Sequence, residues 1–178
     1  MPLSRDIHDR IATRDRFSLA EVRGWIADES DLEVWSAVYD LLGPGWELIR
    51  PEQDMDETCG FMTRYLLRCV HENVQNDDGD VPTGYEAAHD LANCLKHWAA
   101  KLPETRDVLS DAASKITDAY RAGDDAERDR LLTGMLEHAL ESAAVRPYFE
   151  RWKADALLGE PWQLAMEWAV AHGDPAAR

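Results

Sequence analysis

Two short stretches, Phe17-Ser18-Leu19-Ala20-Glu21-Val22 and Thr83-Gly84-Tyr85-Glu86, place a hydroxyl residue three positions ahead of a glutamate at the head of an apolar run. At that spacing the hydroxyl accepts from the glutamate's backbone N–H, and the carboxylate reaches back to the N–H of the hydroxyl residue, so each stretch opens a helix. Asp124 and Glu127 repeat the spacing. Between such starts apolar residues recur every three or four positions, and no run alternates with the period of two that a strand requires. The chain is therefore expected to be all-α: a globular multi-helix bundle of about eight helices with short connections and no sheet.

The individual helices follow from their punctuation. Leu3, Ile7 and Ile11 mark a short helix over Ser4–Thr13, and the helix opened by Ser18 is expected to break near Asp28-Glu29-Ser30-Asp31. Ser30 or Asp31 then caps a segment carrying Leu32, Trp35, Val38, Tyr39 and Leu42, which Gly43-Pro44-Gly45 ends. Trp46–Gln53 has no regular pattern, and a helix is expected from Asp56 to Val74. Asn76-Asp77-Asp78-Gly79-Asp80-Val81-Pro82 is a loop by composition. The helix opened by Thr83 runs to Pro103, where the next begins, and Asp124 opens a helix over Ala126–Ala144. Pro147 and Pro161 each stand where a first helical turn tolerates proline, and Gly173 with Pro175 closes the last helix. No repeat of solenoid length recurs, so the reading is one domain over 1–178, with N-terminal helices in 1–53 and the main bundle in 54–178.

Charge narrows the function classes. Lys and Arg total 19 against 35 Asp and Glu, a net charge of −16. Nucleic acid and anionic membrane both demand a positive binding face, so neither is an expected ligand. A basic protein partner fits that charge, as does a cation, and self-association is left open. No window has the length and apolarity of a membrane span, and Met1–Phe17 lacks the apolar core of a signal peptide. The three cysteines, Cys59, Cys69 and Cys94, form no CxxC pair. A reduced cytoplasmic protein without a disulfide framework is the expectation.

Candidate chemistry concentrates on the helix that Thr83 opens. With about 100° between successive residues, Glu86, His89, Asp90, Asn93 and His97 fall on one stripe. Leu91, Leu95, Trp98 and Leu102 fall opposite it. Glu86, His89, Asp90 and His97 are the metal-ligand candidates, and Glu86-x-x-His89 has the spacing used in di-iron bundles. That fold needs the motif twice, and it occurs once here. The stripe is read as a solvated face, which would become a site only if another helix covered it and added ligands.

Other candidates resolve toward structure. Cys59 and Cys69 share the apolar stripe of their helix with Met62, Leu66 and Val70, as small core residues would. Arg64 and His71, spaced loosely as in helical ribonucleases, lie on its outer face. His138 flanks the stripe of Leu131, Met135 and Leu136. With Gly79 as the fixed glycine of a calcium loop, Val74 and Tyr85 would occupy ligand positions, which excludes that loop. No phosphate loop, GxSxG, HExxH or cofactor signature occurs. The aromatic C-terminal third suits either a core or a partner surface, the surface candidates being Arg146, Tyr148, Phe149, Arg151, Trp152 and Trp162.

The pattern LEHALESAAVRPYFERWKAD, with ETCGFMTRYLLRCV upstream, resembles a group of small helical bacterial proteins of unknown function. The resemblance implies a helical bacterial domain and carries no catalytic residue with it. The function expected is a protein-interaction module of the immunity or antidote, adaptor or regulator type. The alternative is a metal-dependent or hydrolytic enzyme using the Glu86/His89/Asp90/His97 face.

Overall fold

A computed structural model describes residues 2–28, 31–43, 46–50, 54–75 and 81–173. The cap at Ser30, the stop at Pro44-Gly45, the irregular stretch over 51–53, the acidic loop over 76–80 and the closing Pro175 lie outside the described residues. The architecture is a multi-helix α fold, as the periodicity requires. Its helices are α1 (Leu3–Ala12), α2 (Leu19–Ala27), α3 (Leu32–Leu42), α4 (Met55–Glu72) and α5 (Gly84–Ala99). Then come α6 (Arg106–Ala122), α7 (Asp125–Asp129), α8 (Glu137–Ala139), α9 (Arg146–Phe149) and α10 (Gly159–His172).

Both capping boxes form. Ser18 Oγ accepts from Glu21 N at 3.2 Å and Glu21 Oε2 accepts from Ser18 N at 2.8 Å. Thr83 and Glu86 exchange the same two bonds at the head of α5. Asp31 caps α3 by accepting from Glu33 N and Val34 N. Asp124 caps α7, but the carboxylate of Glu127 does not reach back. It turns instead to His71, a partner 56 residues away.

Four local features depart from the sequence expectation. Where no sheet was expected, β1 (Phe17–Ser18) and β2 (Ile49–Arg50) pair in parallel, Phe17 opposite Ile49 and Ser18 opposite Arg50. Two residues per strand leave no alternation to read, so periodicity cannot reveal such a pairing. Trp46–Leu48, in the stretch without a regular pattern, is a 3-10 turn. The next helix begins at Arg106, not at Pro103, because Thr105 turns inward and its Oγ1 donates to Trp98 O at 2.6 Å. Finally, the helix expected over Ala126–Ala144 is a composite, with Arg130–Leu136 wound as a π-helix between α7 and α8. A π turn holds more residues than an α turn, so every side chain beyond it rotates away from its α-helical phase.

Contacts group the chain into two compact units, the first comprising Met1–Tyr65 with Gln75–Val81 and the second Leu66–Val74 with Pro82–Arg178. In the first unit α1 and α2 pack on α3 around Ile7, Val22, Val38 and Leu41. An aromatic series runs through it, with Trp35 edge-on to Phe61 at 5.3 Å and Tyr39 against Tyr65 at 5.1 Å. In the second unit α5 packs on the π segment and on α8. The approach is close because Gly134 faces Ala88: a Cβ at residue 134 would sit 2.9 Å from that of Ala88. Leu91, Leu95, Leu109, Leu131, Met135 and Phe149 fill the core there. Each such side chain contributes about 1.5–3 kcal/mol by leaving water.

Candidate functional site

The stripe on α5 is where the sequence places it. Glu86, His89, Asn93 and His97 are exposed and Asp90 is half-buried, while Ala88, Leu91, Leu95 and Trp98 face the core. Glu86 is engaged as a cap: the Thr83 N–H it accepts, then the Thr83 hydroxyl, hold its carboxyl below the usual range. Partial burial pushes the Asp90 carboxyl up, with Glu86 adding to the shift and His89 opposing it. His97 lies two helical turns beyond His89. Among the described residues no three His, Cys, Asp or Glu side chains converge on a common metal position.

The structure brings a further histidine, from α8, beside His89. The ring of His138 lies 4.9 Å from that of His89, edge to face, and 4.6 Å from the Trp168 ring. Trp168 in turn stacks on His172 at 4.4 Å. Asn93 Nδ2 lies 3.3 Å from His89 Nδ1, and Glu141 Oε1 lies 3.4 Å from His138 Nδ1. The other oxygen of Glu141 accepts from Lys96 at 3.2 Å.

The aromatic C-terminal third divides between interior and surface. Phe149 and Trp152 are fully enclosed by this chain. Trp152 Nε1 donates to Thr117 Oγ1 at 2.9 Å, which satisfies the one polar atom its burial would strand. Arg151 is exposed at the surface but reaches the same Thr117 hydroxyl at 3.1 Å, and Tyr148 is half-buried. Trp162, nearly buried, forms the floor of a groove of about 810 Å³ between the 143–153 segment and α10. Ala143, Pro147, Met166 and Val170 also line it, as do Arg146, Glu150, Lys153 and Glu167.

The rim is held by its own bonds. Arg146 Nε donates to Leu140 O at 2.8 Å, so its guanidinium serves a helix-end carbonyl. Lys153 donates to Glu150 at 2.7 Å and lies 5.4 Å over the Trp162 ring. Glu167 accepts from Gln163 at 2.9 Å. The groove therefore combines the Trp162 ring with a rim carrying both charge signs.

A third cluster went unseen in the sequence. His71, exposed as its helix phase requires, meets the buried carboxylate of Glu127 at 2.9 Å. One turn along, the buried Arg130 donates from Nε to Val70 O at 2.9 Å. Asn73, with φ of 44°, accepts the Gly84 N–H at 3.0 Å and so ties the end of α4 to the start of α5. Tyr85 donates its hydroxyl to Asp129. Every member of this cluster serves a helix end or a neighbour in the cluster, so its chemistry is that of a junction. Arg64 stays exposed and takes no part in it.

Cys59 and Cys69 are buried, as core residues, and Cys94 is half-buried. No helix among the described residues is long and apolar enough to cross a membrane. The described residues of this acidic helical chain thus carry an apolar groove lined around Trp162. No family model, no curated protein and no solved structure matches the chain.

Proposed function

We propose that this chain is a protein-interaction module, acting as the neutralising or regulatory partner of a basic protein. The partner seats an amphipathic helix in the groove between the 143–153 segment and α10. The observation that carries the reading is the groove itself, lined by Trp162 and other apolar residues inside a charged rim, on a chain of net charge −16. An aromatic anchor in a concave apolar surface is the usual centre of a protein contact. Amphipathic helices dock by laying their apolar face into apolar grooves. The acidic field of the chain speeds encounter with a cationic partner and rejects an acidic one, while Glu150, Lys153 and Glu167 set the register of what docks.

The test uses the full chain and three synthetic amphipathic helices that share one apolar face and differ in charge: basic, neutral and acidic. Binding is followed by calorimetry at several salt concentrations. The basic helix is expected to bind best, with affinity falling steeply as salt rises. Ala143→Trp, which fills the groove, and Met166→Glu, which charges its floor, should each abolish binding while the far-ultraviolet dichroism stays unchanged. Equal binding of the three helices, or undiminished binding by both variants, would overturn the reading.

A further inference from the structure

We infer that a pocket between α6 and the 151–158 segment is a binding site for a free α-amino acid with a small apolar side chain. The pocket measures about 300 Å³, at the lower end of the range that small-molecule sites occupy, about 300–1,000 Å³. It is separate from the Trp162 groove. Of the 3-10 turn Glu150–Ala154, Arg151 lines the pocket while Glu150 and Lys153 line the groove, and the two share no lining residue.

Local spacing builds one wall. Ser114, Thr117, Asp118 and Arg121 stand three and four residues apart, which puts them on one face of α6. Thr117 anchors the opposite wall. Its buried hydroxyl donates to Ala113 O at 2.6 Å and accepts from Trp152 Nε1 at 2.9 Å and Arg151 Nη2 at 3.1 Å, which uses its one donor and both acceptor positions. The Arg151 guanidinium is thereby held against α6, one turn ahead of Arg121. Arg121 Nη2 donates to Asp155, whose other oxygen accepts from Leu157 N at 2.9 Å and Leu158 N at 3.2 Å. Asp155 is thus spent on closing the turn and on holding Arg121.

Two guanidiniums, a carboxylate and a hydroxyl are left for a ligand. Among the described residues no hydrogen bond engages Nε or Nη1 of Arg121 or Arg151, and the exposed Asp118 and the Ser114 hydroxyl make none. Charge decides what they take. The lining carries Arg121 and Arg151 against Asp118 and Asp155, so its charges cancel, on a chain of net charge −16. A simple anion is repelled by the whole chain, and a simple cation meets two guanidiniums. A zwitterion escapes both: its carboxylate accepts from the arginines and its ammonium donates to Asp118. The buried Leu158 supplies the contact for a small apolar side chain.

The experiment is calorimetric titration of the full chain with L-valine, with L-valinamide, which lacks the carboxylate, and with N-acetyl-L-valine, which lacks the ammonium. One saturable equivalent of L-valine is expected, with each analogue at least about tenfold weaker. Asp118→Asn, on an exposed helix face where folding is safe, should weaken L-valine about tenfold and leave N-acetyl-L-valine unchanged, because only the ammonium meets Asp118. Arg151→Met should weaken L-valine by a similar factor and leave L-valinamide unchanged, because only the carboxylate meets the arginines. The inference fails if L-valine shows no saturable binding, if acetate or phosphate binds more tightly than L-valine, or if Asp118→Asn binds L-valine as the wild type does. Because the groove is not involved, Ala143→Trp should bind L-valine normally, so failure of the docking reading and failure of this one are distinguishable.

Discussion

Asp90 shows how a single carboxyl records its surroundings. It is half-buried on α5, and loss of water there raises its pKa above the ordinary aspartate value, more than the neighbouring His89 lowers it. The folded chain therefore holds this proton more tightly than the unfolded chain does. The stability this confers is complete below the unfolded pKa, about 3.9, and is lost as the pH climbs through the raised folded value. Replacing the carboxyl by an amide removes that loss. Asp90→Asn should raise the melting temperature at pH 7, and the gain should shrink to nothing as the pH is taken below about 4. Glu86, held down by the Thr83 N–H, has the opposite sign: its contribution is present at neutral pH and fades in acid. Melting curves of wild type and Asp90→Asn across that range check the assignment, and a gain that persisted in acid would contradict it.

At the scale of elements, the telling feature is how helix ends are closed. The local caps at Ser18, Asp31 and Thr83 are each built within four residues, so the chain announces them before it folds. The end of α4 is closed from far away. Val70 lies in its last turn, where carbonyls lack a helical partner, and Arg130 supplies the missing donor across 60 residues of sequence. Arg130→Met keeps the apolar stem and strands that carbonyl, so it should cost about 1–3 kcal/mol. Urea denaturation should show a lower midpoint with an unchanged slope. Arg130→Lys should not restore the loss, since an ammonium has no Nε–H at that place along the stem. The π segment belongs to this scale too. It packs Gly134 on Ala88, and α8, which follows it, carries His138 to His89.

For the whole molecule the governing quantity is the charge of −16. Its ion pairs are mostly at the surface, as with Arg23–Glu57 and Lys153–Glu150, and such pairs contribute little. Repulsion among the unbalanced carboxylates opposes the compact state. Raising sodium chloride from about 0.01 M to about 0.15 M, which shortens the screening length from about 30 Å to about 8 Å, should therefore raise the melting temperature. A fall over that range would mean that the surface pairs outweigh the repulsion. On the docking proposed above, salt should act in opposite directions on the two properties, strengthening the fold while weakening the binding of the basic helix.

What the sequence determined by itself was whatever a helix decides within one or two turns. The capping boxes, the apolar stripes, the burial of Cys59 and Cys69, and the wet face bearing Glu86, His89 and His97 all follow from spacing along the chain. The tertiary structure alone decided what meets across tens of residues: Phe17 with Ile49, His71 with Glu127, Arg130 with Val70, and His89 with His138. It also separated the aromatic candidates, enclosing Phe149 and Trp152 and setting Trp162 in the floor of a groove. The physical reason is one of range. Helical hydrogen bonds and caps act between near neighbours and leave a periodic trace, whereas packing is set by shape and by the removal of water, which no local spacing encodes.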